Sequence, residues 1–562
     1  MISALPPGLI LIAGAGLIPF VGEGTRKALS LILPIVALAL IWSVGPDAGV
    51  AWTAPFMGYD VAPVSYTPTG VLFATVFGIM AFGGALFAMR SAARSEMAAA
   101  YLYAGSALGV VLAGDLITVF VFWEIMAIGS TMVVWNGASD AARRAGMRYA
   151  LIHFFGGVVL MIGLIGHISE TGSVTFEAMQ ADSWARWLIL GGFLINAGAW
   201  PISSWIPDAY PEASPTGMVF LSAFTTKTAV FVLLVGFPGT QALIYVGLFM
   251  VFYGIIYALL ENDMRRILAY SIVNQVGFMV TAIGIGTELA LNGAASHAFA
   301  HIIYKGLLLM SAGSVLYMTG KRKCTDLGGL FQSMPITATC GIIGALAISA
   351  FPLTSGFVSK SMISQSAADQ HMFWVWMLLT AASAGVFLHA GIKFPWFVFF
   401  QKDSGLRPPD PPRTMRAAMI FFAALCLLIG IFPQPLYALL PFPVEFVPYT
   451  GAHVVAQLQL LLFAGLAFFL LLPLMKRTLT VSLDVDWLYR RLAPAIVRWI
   501  SRDLHELTDG VFGGTRAQLT AIVDSVAHYH GPTSLLARTL PTGQTIFWVL
   551  VILAAFLVFN FS

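Results

Sequence analysis

Charge is what this sequence has least of. Only 10% of its 562 residues are Asp, Glu, Lys or Arg, against about a quarter in an ordinary soluble domain, so water is not its main solvent. Cysteine is scarcer still. Cys324, Cys340 and Cys426 lie far apart with no CxxC pair, a spacing that excludes the usual iron–sulfur and zinc motifs. No glycine-rich phosphate loop stands at a strand-to-helix junction, so a nucleotide site is not expected. The reading is therefore a chain with no cofactor and no metal of its own. The first residues lack the basic stretch of a cleaved signal, and the first apolar run reads as a retained helix.

What is present in abundance is apolar sequence, 59% of the chain. Runs of about 20 such residues recur from end to end, and a helix of that length crosses the hydrocarbon core of a bilayer. Each backbone polar group must then be paired inside its own helix, which rules out an open sheet. The expected fold is an all-α polytopic membrane protein of about 16 spans. The spans are placed near 4–21, 28–45, 67–89, 97–113, 116–135, 149–168, 187–204, 216–236, 240–260, 266–286, 289–318, 336–366 (interrupted), 372–399, 414–432, 452–475 and 544–561. They group into N-terminal helices (1–96), a first repeat (97–236), a second repeat (237–400), C-terminal helices (401–475), a polar, amphipathic cytoplasmic segment (476–543) and a last span (544–562).

Cations test that topology independently, because Lys and Arg accumulate on the cytoplasmic side. Every second loop holds them: Arg26/Lys27, Arg90/Arg94, Arg143/Arg144/Arg148, Arg265/Arg266, Lys321/Arg322/Lys323 and Lys402/Arg407/Arg413/Arg416. With those of segment 476–543, 24 of the 29 basic residues fall on one side, against Arg186 alone on the other. Both termini then face away from the cytoplasm of a bacterial inner membrane. One loop on the basic side, Pro207 to Pro215, carries Asp208 and Glu212 and no cation.

The other four basic residues, Lys227, Lys305, Lys360 and Lys393, all lie within spans, and none is an arginine. A desolvated ammonium can release its proton, whereas a guanidinium effectively cannot. Glu124 stands midway along an apolar helix, where a carboxylate must be paired or protonated; a structural ion pair is the alternative to a transport role. Asp115, at a helix start, reads as a cap. His297, His301 and Lys305 follow one another at i, i+4, i+8, so they share a helix face about 6 Å apart. Such a row can pass protons through water; with no third ligand nearby, metal binding is the lesser alternative. Ala199-Trp200-Pro201-Ile202-Ser203-Ser204 and Ala350-Phe351-Pro352-Leu353-Thr354-Ser355 repeat one pattern in the two halves, and paired broken helices mark transport sites in repeat-built carriers. His153, His389 and Lys393 are further candidate sites; His153 stands near a helix end, and Lys393 is close enough to the basic surface for snorkelling to be its alternative role.

These residues resemble a known family. Phe122-Trp123-Glu124-Ile125-Met126, Trp205 to Pro211, Arg265 to Ser271, His297 to Lys305 and Ser355 to Lys360 are similar, in order, to motifs of the antiporter-like subunits shared by Mrp-type cation/proton antiporters and the membrane arm of respiratory complex I. Asp208-Ala209-Tyr210-Pro211-Glu212-Ala213 looks closest to the D-type subunit of the Mrp antiporters. The resemblance implies two inverted five-helix repeats, each with a broken helix at Pro201 or Pro352 and half of a proton path. It implies that Glu124 is the paired glutamate, Lys227 the central lysine, His297, His301 and Lys305 the connecting groups, and Lys360 the terminal lysine. One departure stands out: Asn196 occupies a position where the family usually carries a lysine partnering the glutamate. Lys227 is then one candidate partner for Glu124; the alternatives are that this half conducts by a different sequence of states or has lost its coupling.

The function expected is a proton-translocating subunit, not an enzyme, of a multi-subunit Na+/K+ antiporter, with other membrane subunits as partners. Two alternatives stay open: a pump subunit of a complex I-like or membrane-hydrogenase assembly, and an energy-coupling subunit of an inorganic-carbon uptake system. Segment 476–543, with Leu504, Leu507 and Val511, then Leu519, Ile522, Val523 and Val526 about Gly513-Gly514, reads as an amphipathic helix lying in the interface or on a partner, with a solvated tether to the last span as the equal alternative.

Overall fold

The structure, a computed structural model, describes residues 5–473, 484–499, 520–526, 528 and 542–561. Residues Met1–Asp486 form one compact unit and Trp487–Ser562 another. In the first unit the helices run α1 (Pro7–Leu17), α2 (Glu23–Val44), α3 (Pro68–Ala88), α4 (Arg94–Val111), α5 (Leu116–Trp135), α6 (Asp140–Thr171) and α7 (Trp184–Ala197). There follow α8 (Trp205–Ala209), α9 (Gly217–Leu221), α10 (Thr225–Gly236), α11 (Ala242–Leu260), α12 (Met264–Ile285), α13 (Glu288–Thr319), α14 (Pro335–Ile348) and α15 (Ser355–Asp369). The series ends with α16 (Phe373–Val386), which continues as π-helix through Phe387–Lys393, then α17 (Arg413–Ile431), α18 (Gln434–Tyr437) and α19 (Gly451–Leu470). The second unit contributes α20 (Thr542–Phe561) and exposed helical turns at 487–499 and 520–526. Leu504, Leu507, Val511, Gly513, Gly514 and Leu519, on which the amphipathic reading of 476–543 partly rests, lie outside the described residues.

Among the described residues, 11 helices are long and apolar enough to cross a membrane. Burial ranks them. The apolar window of α12 is wholly buried, and those of α13 and of Gly217–Gly236 nearly so, whereas α2 and α19 expose most of theirs. The polar side chains of α10, α12 and α13 are therefore screened by a surrounding layer of helices. Two successive series of helices have similar lengths: 18, 20, 32 and 14 residues for α4 to α7, and 19, 22, 32 and 14 for α11 to α14.

One element was not foreseen. Gly49–Phe56 (β1) and Tyr59–Tyr66 (β2) pair antiparallel between α2 and α3. Phe56 faces Tyr59, leaving a two-residue turn at Met57 and Gly58 with φ of 51° and 86°, the left-handed pair that a tight hairpin demands. Asp115 caps α5, accepting from the Thr118 N–H at 2.8 Å, and its second oxygen takes the Ala62 N–H of β2 at 2.8 Å. The capping role read from sequence is thus joined by a tie to the hairpin.

The cation-free loop at 207–215 finds its cations in space. Arg148 forks onto Asp208, both bonds at 2.7 Å, and Arg322 reaches Glu212 at 2.8 Å and also pairs with Asp263. Burial pushes the Glu212 carboxyl up, but its hydrogen bond and charge pairing with Arg322 outweigh that and hold it below the usual range. Arg265 donates to the Ala213 and Ser214 carbonyls at 2.8 Å each. At the far end of this unit Asp484 accepts from the hydroxyls of Tyr253 and Tyr270 at 2.7 Å, which fastens the chain beyond α19 onto α11 and α12.

Candidate functional site

Two half-helices stop in the same manner. At the end of α7, Gly198 turns left-handed (φ 77°), its N–H bonding Ile195 O at 3.1 Å, while the Ala199 N–H bonds Leu194 O at 3.0 Å. At the end of α14, Ala350 turns left-handed (φ 56°), with its N–H on Ala347 O at 3.1 Å and the Phe351 N–H on Leu346 O at 3.0 Å. Pro201 and Pro352 lie in the linkers that follow, before α8 and α15. A helix that stops inside a bundle leaves carbonyls without partners, and the two halves satisfy theirs differently. The indole of Trp205 donates to Ile195 O at 3.0 Å, whereas the ammonium of Lys360 donates to Ile348 O at 2.8 Å. The first interruption is thus closed by a donor that cannot titrate and the second by one that can.

Lys227 uses a third interruption, which sequence reading missed. Residues 222–224 separate α9 from α10, and the Lys227 ammonium reaches back to Ser222 O at 2.6 Å and to Thr226 Oγ1 at 3.1 Å. The expectation that Lys227 pairs with Glu124 is not met: neither forms an ion pair among the described residues. The carbonyl released by the interruption takes the ammonium instead. Glu124, partly buried, keeps Oε1 without a hydrogen-bond partner and packs it against Gly157 of α6, where an added Cβ would lie 2.1 Å away. Asn196 is buried with its Oδ1 on His153 Nδ1 at 2.8 Å, and His153 Nε2 has no partner.

The row on α13 is wholly enclosed. His297, His301 and Lys305 are all fully buried, and the two imidazole centroids lie 6.2 Å apart. Lys305 donates to Ser271 Oγ at 2.8 Å and Leu268 O at 3.2 Å. His297 bonds Gln275 Oε1 at 3.1 Å and Ser359 Oγ at 2.9 Å, and Ser359 adjoins Lys360 on α15. His301 has neither ring nitrogen paired. Lys360 rests over the Phe278 ring, 4.8 Å from its centroid. Beside it opens a cavity of about 410 Å³ lined by Ser361, Ser364, Gln365, Thr380, His453 and Gln457. Ser271 and Gln275 were also missed, although their i, i+4 spacing on α12 is itself a signal of a polar face.

His389 and Lys393 stand apart in character. His389 Nδ1 donates to Gly385 O at 2.8 Å and its Nε2 is unpaired. Lys393 does not snorkel. It is buried, and its ammonium bonds the carbonyls of Ala258, Leu259 and Glu261 at 3.0, 2.6 and 2.6 Å. Those are the orphan acceptors at the end of α11, which hold the ammonium inside the bundle.

Residues 113–385 match the family described as NADH:quinone oxidoreductase/Mrp antiporter, TM. The A/B subunit of a probable K(+)/H(+) antiporter of Rhizobium meliloti is 33% identical over 356 residues, 59% of this chain and 36% of that protein. Hydrogenase-4 component B of Escherichia coli is 29% identical, covering 55% of this chain and 52% of that protein. The chain thus spans only about a third to a half of these two relatives. The D-type subunit of the Na(+)/H(+) antiporter of Alkalihalophilus pseudofirmus is 28% identical over 69% of this chain and 83% of its own length. Two solved structures share the fold over 99% of this chain: a chain of the archaeal membrane-bound sulfane sulfur reductase (TM-score 0.73, 22% identity, all of that chain) and one of the Mrp complex from Dietzia (TM-score 0.74, 21% identity, 62% of that chain). Through residues 113–385 the chain is similar to the NADH:quinone oxidoreductase/Mrp antiporter transmembrane family.

Proposed function

We propose that this chain is the proton-translocating subunit of a multi-subunit monovalent cation/proton antiporter, held in a bacterial inner membrane with both termini outside the cytoplasm. The observation that carries the reading is the enclosed row Lys227, His301, His297, Lys305 and Lys360, in which each ammonium is held by carbonyl or hydroxyl oxygens alone. A lysine held without a carboxylate loses no ion pair when it gives up its proton, so its charge can change at modest cost. The matched helix lengths and the two similarly ended half-helices support two inverted five-helix repeats within a 16-span fold. Partner subunits are those of the antiporter relatives.

The ion carried by this chain is the proton. Sodium favours a cage of oxygen ligands, and the carbonyls freed at two of the three interruptions are occupied by Lys227 and Lys360. In everted vesicles holding the full chain in its native complex, Lys305→Ala should abolish exchange driven by a pH gradient while assembly persists. Lys305→Arg should fail too, because a fixed charge relays no proton. Normal exchange by either variant overturns the reading. Saturable sodium or potassium uptake that is lost in Pro352→Ala but survives Lys305→Ala overturns the proton-only part. A redox-driven assembly is the second reading, favoured by the match to the whole of a reductase-complex chain; co-purified redox subunits would select it.

A further inference from the structure

Among the buried polar atoms of the first half without a partner are Glu124 Oε1 and His153 Nε2. They belong to facing helices. Glu124 Oε1 lies against Gly157, one turn along α6 from His153, and a turn separates side chains by about 6 Å. The glycine makes room for the carboxyl itself, which occupies the place where a side chain would otherwise stand. On its other side the His153 ring lies tilted at 45° against Tyr149, with centroids 4.0 Å apart, and meets the Trp205 ring at 4.6 Å. Tyr149 leads to a cluster of hydroxyls. Its own hydroxyl donates to Ser130 Oγ at 3.0 Å and approaches Thr225 Oγ1 at 3.4 Å, and Thr225 bonds the Tyr103 hydroxyl at 2.6 Å. Thr225 opens α10, two residues before Lys227.

We propose that His153 is the group that carries a proton between Glu124 and Lys227. The proposal rests on the proton-path reading above and assigns the step for which that reading has no residue, since Glu124 and Lys227 do not meet. Asn196 sets the tautomer. Its Oδ1 accepts from Nδ1–H, which leaves the Nε2 lone pair free to take a proton, and an amide neither competes for that proton nor traps the imidazolium. On the Glu124 side the proton leaves a carboxyl oxygen and binds Nε2. On the Lys227 side it departs from Nε2 through the Tyr149–Thr225 hydroxyls and water to Lys227 in its neutral amine form, regenerating the neutral ring and leaving Glu124 a carboxylate until it is reprotonated. The titratable and charged groups around the ring are Tyr149 on its own helix, Glu124 across from Gly157, Tyr103 and Lys227 beyond the hydroxyl cluster, Tyr210 after α8, and the Arg148–Asp208 pair towards the start of α6.

The test measures exchange in everted vesicles of the native complex for His153→Gln, His153→Ala, Asn196→Leu and Lys305→Ala, with assembly scored by co-purification. A carrier predicts that His153→Gln and Asn196→Leu each lower the initial rate at least tenfold. Added imidazole should restore His153→Ala and leave Asn196→Leu unchanged. A ring that serves only packing would tolerate Asn196→Leu, which keeps the ring and removes only its hydrogen-bond partner; this arm decides the matter even if the His153 variants fail to assemble. Normal rates in Asn196→Leu and His153→Gln beside an inactive Lys305→Ala overturn the role of His153 alone. Normal rates in all the variants overturn the proton path itself.

Discussion

Lys393 is a lysine in a membrane span that should not conduct. Its ammonium satisfies three carbonyls at the end of α11. Lys393→Met keeps the length and removes the donor, leaving three acceptors without their partner. An unsatisfied buried acceptor costs about 1–3 kcal/mol. Against that, the substitution also removes the cost of burying an ammonium, which is itself several kcal/mol. Three such acceptors weigh about 3–9 kcal/mol against the several kcal/mol recovered, so the net loss should be at most about 3 kcal/mol. In a chain of this size that lowers the melting temperature by a few degrees. Lys393→Arg, which keeps a donor and its charge, should recover most of the loss. The assay is the melting of purified protein in detergent, read beside exchange in vesicles at a temperature well below the transition. Lys393→Met should melt earlier yet exchange normally, whereas Lys305→Met should do the reverse. A Lys393→Met protein that melts like the parent but no longer exchanges would refute the reasoning and put Lys393 on the path.

A double-mutant cycle on melting for Glu124→Gln and Lys227→Met should be additive within about 0.5 kcal/mol, as for residues that share no contact; a larger coupling would mean that the two pair after all. Glu212, outside the spans, is held below the usual glutamate value by Arg322. Its contribution is therefore fully present above that value and is lost as pH falls through the folded one. Glu212→Gln should accordingly flatten the fall of melting temperature on acidification below about pH 5, which a melting series over pH would register. Asp484→Ala removes the acceptor shared by Tyr253 and Tyr270. Limited proteolysis should then cut the chain beyond α19 faster, with α11 and α12 themselves unaffected.

The membrane class, the helical character of the long apolar runs and the row on α13 were legible in the sequence because each is a property of one helix. Composition sets the solvent, length sets the crossing, and i, i+4 spacing sets the shared face of His297, His301 and Lys305. The two interruptions at Pro201 and Pro352 were visible for the same reason, since proline and glycine act locally. The hairpin at 49–66 was missed because its strands border on spans that dominate any count of apolar residues. What tertiary structure alone decided was pairing. Asp208 and Glu212 find Arg148 and Arg322, which lie 60 and 110 residues away. Lys227 turns to a carbonyl freed at 222–224 and not to Glu124, and Lys393 turns inward to the end of α11. Asn196, an apparent gap in a family pattern, proves to hold His153. In each case the choice depends on which unsatisfied oxygen lies within about 3 Å of a buried donor, and sequence distance carries no record of that.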